Sequence, residues 1–318
     1  MVVLSQSVAH INLPTINSFD SNFTQIPVVD LSNPDAQIHI VNACQEVGFF
    51  KVVNHGVPME MVTSLEAQAL SFFKLPQHHK DKAAPFGYGN KCIGQRGDTG
   101  WVEYLLLGTN TGLIAQDSPA IFPHDFWLMI RKYLAALEKL TCEVLEKMAD
   151  GLNIEPRTVL SRLVSAEKSD SYFRINHYPA SDQTKLGFGE HTDPQIISVI
   201  RSNNVSGLEI ALKDGTWVQV PPDPTSFFIT VDDCLQVLTN GRFKSVKHRV
   251  ITESLKERIS MIHFGGPPSN EKIAPIASLM EEGEESLYRE FTWDDYKKAA
   301  FNSKLACNRI SFFEKCPA

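Results

Sequence analysis

His191-Thr192-Asp193, with Ser245-Val246-Lys247-His248-Arg249-Val250-Ile251 well downstream and Arg258-Ile259-Ser260-Met261-Ile262-His263-Phe264 soon after, decides how the chain is read. Residues at i and i+2 of a β-strand project from one face, so His191 and Asp193 are expected to reach one ion from one strand. A helix would turn them apart. Val246, His248 and Val250 alternate onto one core-directed face, which sends the His248 imidazole inward. Two imidazoles and one carboxylate leave roughly half of an octahedral shell open, the arrangement of non-haem Fe(II) oxygenases. Zinc also takes two histidines and a carboxylate, so the triad by itself leaves the metal open.

Arg258 and Ser260 repeat the i and i+2 spacing, so guanidinium and hydroxyl point the same way. An arginine aimed into an apolar interior is costly unless an anion pairs with it, and its planar fork suits a carboxylate. The expected anion is the distal carboxylate of 2-oxoglutarate. Ser171-Tyr172-Phe173-Arg174-Ile175-Asn176-His177-Tyr178-Pro179 alternates likewise, with Tyr172, Arg174, Asn176 and Tyr178 opposite Phe173, Ile175 and His177. Tyr178 can offer its phenol to the same co-substrate. A lone histidine or a lone Arg-x-Ser says little; their conjunction carries the weight.

From about residue 169 the sequence falls into short alternating stretches broken by Gly, Pro, Asn and Asp: 207–212, 217–220 and 226–231. Such spacing suggests a β-sandwich or barrel. Upstream, Asn33-Pro34 reads as an N-cap and first helical position, with Ile38, Val41 and Cys44 on one face and Gly48 closing the helix before a strand over 49–53. A helix is expected over 59–73. Another, capped by Asp125, places Ile130, Leu134, Leu137, Leu140, Val144, Leu145 and Met148 at helical intervals up to Gly151. Residues 1–25 lack periodicity and read as an irregular arm. The segment from Trp293 to Phe313 reads as a helix and tail able to cover a barrel mouth.

Over nearly its whole length the chain resembles the plant 2-oxoglutarate- and Fe(II)-dependent dioxygenases. The likeness runs from Ile26-Pro27-Val28-Val29-Asp30 and Gly48-Phe49-Phe50-Lys51-Val52-Val53-Asn54-His55-Gly56-Val57 to Arg258-Ile259-Ser260. More narrowly it is similar to the gibberellin 2-oxidases, through Pro85-Phe86-Gly87-Tyr88-Gly89-Asn90, Gly100-Trp101-Val102-Glu103-Tyr104-Leu105-Leu106, the stretch 187–198, and Thr239-Asn240-Gly241-Arg242-Phe243-Lys244-Ser245-Val246. The resemblance implies a mainly β fold with bracing helices, built on a double-stranded β-helix or distorted jelly roll. It implies Fe(II) held by His191, Asp193 and His248, and 2-oxoglutarate held by Arg258, Ser260, Tyr178 and Asn176, with Arg258 the catalytic anchor. Oxygen is the second co-substrate and ascorbate the reductant. The implied reaction is 2β-hydroxylation of nineteen-carbon gibberellins, which inactivates the hormone. A rigid, largely apolar diterpenoid with a carboxylate calls for aromatic walls and a cationic group, and the candidates are Arg96, Trp101, Tyr104 and Phe264. The same chemistry on a flavonoid, an alkaloid or a gibberellin precursor is an alternative, as are an ascorbate-dependent oxidase and a non-catalytic hormone-binding protein on the same scaffold.

The chain departs from the family pattern in three places. Asp232, in Val231-Asp232-Asp233-Cys234, stands where glycine is usual and is expected to alter a turn, not the chemistry. His263 replaces a common tyrosine on the face away from Arg258. The loop from Pro179 to Gly187 is short and lacks a Pro-Cys pair, which bears on the substrate entrance.

With 318 residues, 43% hydrophobic and 21% charged, there is material for a large core. The expected organisation is a single catalytic unit over 1–318: a mixed helix and strand region at 24–150, the jelly-roll core at 165–270, and a C-terminal helix and tail at 271–318. A net charge of −7 without a basic run argues against nucleic acid as a partner. Glu281-Glu282-Gly283-Glu284-Glu285 reads as a solvated loop. No apolar run approaches a membrane span, and the first fifty residues contain no Lys or Arg, so neither membrane nor organelle is expected. The six cysteines lack regular spacing, which fits reduced thiols in the cytoplasm, although Cys307 and Cys316 could cross-link subunits. The partner is a small molecule; no pattern fixes an oligomeric state.

Overall fold

The computed structural model describes residues 26–92, 100–109, 122, 125–180, 185–252 and 255–315. The arm at 1–25, the candidate Arg96, Cys316 and part of the 179–187 loop lie outside the described residues. The strands are β1 (Val28–Asp30), β2 (Phe49–Val53), β3 (Tyr88–Cys92), β4 (Trp101–Gly108), β5 (Tyr172–Tyr178), β6 (Lys185–His191), β7 (Ile197–Ser202), β8 (Leu208–Ala211), β9 (Trp217–Gln219), β10 (Phe227–Val231), β11 (His248–Thr252), β12 (Arg258–Gly265), β13 (Lys272–Ile273) and β14 (Phe291–Thr292). The helices are α1 (Ala36–Glu46), α2 (Met59–Phe73), α3 (Gln77–Lys80), α4 (Phe126–Gly151), α5 (Ser161–Ser165), α6 (Asp233–Leu238) and α7 (Trp293–Asn302). No described helix is long and apolar enough to cross a membrane.

An eight-stranded sheet runs β1-β2-β10-β7-β12-β5-β4-β3, and a four-stranded sheet runs β6-β11-β8-β9. Alternation explains the layering. Phe173 and Ile175 of β5, Ile197 and Val199 of β7, and Ile259 and Met261 of β12 pack with the helices in the larger core. All seven apolar positions expected on α4 are buried there. Burying one such leucine stabilises by about 1.5–3 kcal/mol, so this single helix braces the back of the large sheet. The opposite faces meet between the sheets, where Ile200 and Phe228 pack with Leu208, Ile210 and Val250. The protein is thus mainly β with helices on one side of a jelly roll.

The register of β12 on β5 prepares the site. It runs without a break from Arg258 opposite Tyr178, through Ser260 opposite Asn176, to Phe264 opposite Tyr172. Directly opposed residues of an antiparallel pair share a face, so these polar side chains line up between the sheets.

Several local expectations change. Helix α1 begins at Ala36, because the Asn33 side chain accepts from the Asp35 N–H and holds a turn where the helix was expected to start. Its buried face is Ala36, Ile40, Val41, Ala43 and Cys44, and Ile38 is 53% exposed. Gly48 does close it: φ is +76, and a Cβ there would sit 2.2 Å from the Lys244 carbonyl oxygen. Glu284 is more than a solvated charge, since it accepts two bonds from Arg242 at 3.1 and 2.7 Å. Asp232 leaves the chain direction ordinary, at φ −105 and ψ 174, and turns a fully buried side chain inward.

Candidate active site

His191 is the last residue of β6 and His248 the first of β11, and the two are direct antiparallel partners. Their ring centroids lie 4.2 Å apart. Asp193 stands just past the end of β6, so the expectation that both short-range ligands share one strand is corrected. Asp193 is held instead by main chain and a hydroxyl: its carbonyl accepts from the Asp233 N–H at 2.8 Å, and its carboxylate from Ser198 Oγ at 3.0 Å.

The two imidazoles are oriented alike. His191 Nδ1 lies 2.8 Å from the Gly189 carbonyl oxygen and His248 Nδ1 lies 3.2 Å from that of Val246. Each carbonyl can only accept, so Nδ1 carries the hydrogen and Nε2 presents a lone pair. The Nε2 atoms lie 3.5 and 3.7 Å from the Asp193 oxygens, beyond hydrogen bonding. All three ligand atoms fall within 4.8 Å of one another. Burial, then the neighbouring His191, lowers His248 to about 4, which leaves it neutral at ordinary pH. Burial opposes ionisation of Asp193, but His248 and His191 outweigh it and hold the carboxyl below its usual range. Two neutral imidazoles and a carboxylate converging on one point are the donor set a divalent iron takes.

On the facing wall, Arg258 is 3% exposed, and its Nε and Nη1 have no hydrogen-bond partner among the described residues. Tyr178, 2% exposed, has a hydroxyl without a partner among the described residues, and burial keeps that phenol protonated. The Arg258 guanidinium lies 5.5 Å from the Tyr178 ring centroid. Gly207, at φ +142, lets the main chain close on this arginine; a Cβ would meet Ile251 O at 2.5 Å and Arg258 Cδ at 3.2 Å. A buried fork with free donors beside a free phenol fits an incoming carboxylate.

Triad, Arg258, Ser260, Tyr178 and Asn176 all line one cavity of about 310 Å³. Phe264 lines it too. Trp101 does not, and at 38% exposure it faces solvent from the edge of β4. Tyr104 is not on the wall either; its ring lies under the Arg174 guanidinium at 4.3 Å. Arg174 reaches the cavity between that ring and Phe188, 5.2 Å away, and donates to Asn176 Oδ1 at 2.7 Å. No carboxylate among the described residues pairs with it. Alternation in β5 puts Arg174 on the face of Tyr178, yet sequence reasoning gave it no role. Arg309, also missed, enters from the tail and donates to the Thr192 carbonyl, so the C-terminal segment closes one side of the cavity. No local pattern announces that contact. It depends on α7, which Tyr296 ties to Asp233 at 2.5 Å and Trp293 to Asp170 at 2.9 Å.

Residues 169–267 match the 2OG-Fe(II) oxygenase superfamily, and residues 26–127 match the family described as non-haem dioxygenase in morphine synthesis N-terminal. The chain is 57% identical to a gibberellin 2-beta-dioxygenase of Phaseolus coccineus, covering 100% of both. It is 52% identical to gibberellin 2-beta-dioxygenase 2 of Arabidopsis thaliana, over 100% of this chain and 98% of that one. Among solved structures it is similar to JOX2 in complex with 2OG, Fe and JA, with a TM-score of 0.80 and 27% identity over 92% of this chain and 90% of that one. With its paired imidazoles, its carboxylate and its unmatched buried arginine, the chain belongs to the gibberellin 2-beta-dioxygenase family of Fe(II)- and 2-oxoglutarate-dependent oxygenases.

Proposed function

We propose that the enzyme hydroxylates gibberellins at carbon 2 on the β face, nineteen-carbon forms in preference to twenty-carbon precursors, and so inactivates the hormone. The observation that carries this reading is the triad facing the Arg258 donors across one cavity, in a chain that matches gibberellin 2-beta-dioxygenases end to end. His191 and His248 would hold Fe(II) through Nε2 and Asp193 through its carboxylate. Arg258, with Ser260, Tyr178 and Asn176, would hold the distal carboxylate of 2-oxoglutarate. When bound, the iron supplies the oxidising power by which 2-oxoglutarate and oxygen become succinate and carbon dioxide and a C–H bond of the substrate becomes C–OH, with ascorbate keeping the metal reduced.

The protein's share is position and dryness. Arg258 fixes the co-substrate's far end and so decides which way its other end faces. Ile200, Leu208, Val250, Ile262 and Phe264 form an apolar wall that excludes water and fits a diterpenoid skeleton. Arg174, flanked by two rings, supplies a cationic group for the substrate carboxylate; Phe264 is a wall residue, and Tyr104 acts through Arg174. The whole chain works as one catalytic unit. Its partner is a small molecule, not nucleic acid or membrane, and its setting is the cytoplasm, in line with the free thiols of Cys44, Cys142, Cys234 and Cys307. The test is a substrate panel: gibberellins should be consumed, with succinate formed, while flavonoids are not. Consumption of a flavonoid alone would refute the substrate assignment.

A further inference from the structure

Ser198 on β7 stands between two carboxylates. Its Oγ lies 3.0 Å from Asp193 Oδ2 and 2.7 Å from Asp232 Oδ2, and Ser198 and Asp232 have no exposed surface. A serine hydroxyl has one hydrogen to donate. It cannot serve both oxygens, and a bare carboxylate at 2.7 Å from a hydroxyl lone pair would be repelled. The count closes when Asp232 carries a hydrogen on Oδ2 and donates it to Ser198, while Ser198 donates to Asp193. The other Asp232 oxygen accepts from Thr230 Oγ1 at 2.6 Å. Burial first, and the Asp193 charge second, push the Asp232 carboxyl well above the usual range, in the same direction as the count.

The main chain fixes where this relay points. Asp232 sits at the junction of β10 and α6, its N–H bonded to the Ile196 carbonyl at 3.3 Å, and the next N–H, of Asp233, holds the Asp193 carbonyl. The junction therefore grips Asp193 twice, once at the backbone and once through Ser198 at the carboxylate. We propose that Asp232 is a positioning residue: acting through Ser198, it sets the rotation at which the Asp193 carboxylate faces His191 and His248. This rests on the reading of Asp193 as an iron ligand.

The test is titration of the metal-free enzyme with Co(II), followed by its visible absorption, and anaerobically with Fe(II). Outer hydrogen-bond partners of metal ligands are worth about 10- to 100-fold in metal affinity, so Asp232→Gly and Ser198→Ala are each expected to weaken Co(II) binding by that factor. The double variant should bind no more weakly than Ser198→Ala, because both changes cut one path. Asp232→Asn should bind within about 3-fold of the unaltered enzyme, since an amide donates to Ser198 and accepts from Thr230 as the acid does. It also preserves volume and remains measurable if the glycine variant does not fold. Unchanged Co(II) affinity in a folded Asp232→Gly enzyme, Asp232→Asn as weak as Asp232→Gly, or additive losses in the double variant would overturn the proposal. Asp193→Ala separates this from the underlying reading: full Co(II) affinity there removes Asp193 as a ligand altogether, and Asp232's role with it.

Discussion

Arg258→Met is expected to move stability and co-substrate binding in opposite directions. The guanidinium is 3% exposed and two of its three nitrogens lack partners among the described residues, so without 2-oxoglutarate the fold carries a desolvated charge with little return. Methionine approximates its stem and removes that cost. Replacing poorly compensated buried charges by apolar residues is often neutral or stabilising by about 1–4 kcal/mol, so the metal-loaded variant without co-substrate should melt no lower than the unaltered protein. Adding 2-oxoglutarate should reverse the order. At 100 times its Kd a ligand stabilises by about 2.7 kcal/mol, and losing a buried hydrogen-bonded charge partner costs about 2–5 kcal/mol, or roughly 30- to 5,000-fold in affinity. The unaltered protein should therefore gain several degrees while Arg258→Met gains at most about a third of that at the same concentration. Arg258→Lys should recover part of the shift, because a point charge lacks the fork. The assay is thermal unfolding with Mn(II) in place of iron, with and without 2-oxoglutarate. A full 2-oxoglutarate shift in Arg258→Met would refute the reasoning and move the anchor elsewhere.

Arg174→Gln should raise the KM for a gibberellin roughly 10- to 150-fold, the loss of about 1.5–3 kcal/mol for a charged hydrogen bond, with a much smaller effect on 2-oxoglutarate. A gibberellin methyl ester should not distinguish the two enzymes in steady-state assays; if it does, Arg174 is not reading the carboxylate. Burial lowers His263 from its ordinary 6.5 to about 4. A base with a depressed folded value contributes stability that is complete above pH 6.5 and is lost as the pH falls towards 4, up to about 3 kcal/mol. Urea unfolding across that window should therefore decline less steeply for His263→Phe than for the unaltered protein, and parallel declines would count against a neutral buried imidazole. Leu137→Ala, at the middle of the bracing helix, should cost about 2–5 kcal/mol in the same assay.

The sequence made strands legible where one face had to be apolar. Alternation in 172–178 and 258–264 fixed which side chains share a face, and the register then brought Arg258 beside Tyr178 and Ser260 beside Asn176. The limits of β2, α2 and α4 were equally readable from Gly48, the run 59–73 and the leucine ladder. The i and i+2 spacing suggests one strand for His191 and Asp193, but the strand ends at His191, and spacing alone does not reveal that the Asp233 N–H and Ser198 hold Asp193 from other elements. Trp101 and Tyr104 have chemistry that suits a pocket, but β4 turns Trp101 to solvent and sets Tyr104 beneath Arg174. Arg309 and the inward turn of Asp232 arise from contacts distant in sequence, which no local periodicity encodes.

The central claim is tested most directly by incubating the enzyme with Fe(II), ascorbate, oxygen, 2-oxoglutarate and a nineteen-carbon gibberellin, and quantifying both products by mass spectrometry. The expected result is a 2β-hydroxylated gibberellin formed in equal amount with succinate, and neither product from His248→Ala. Succinate without a 2β-hydroxylated product, or a gibberellin oxidised at another carbon, would contradict the account.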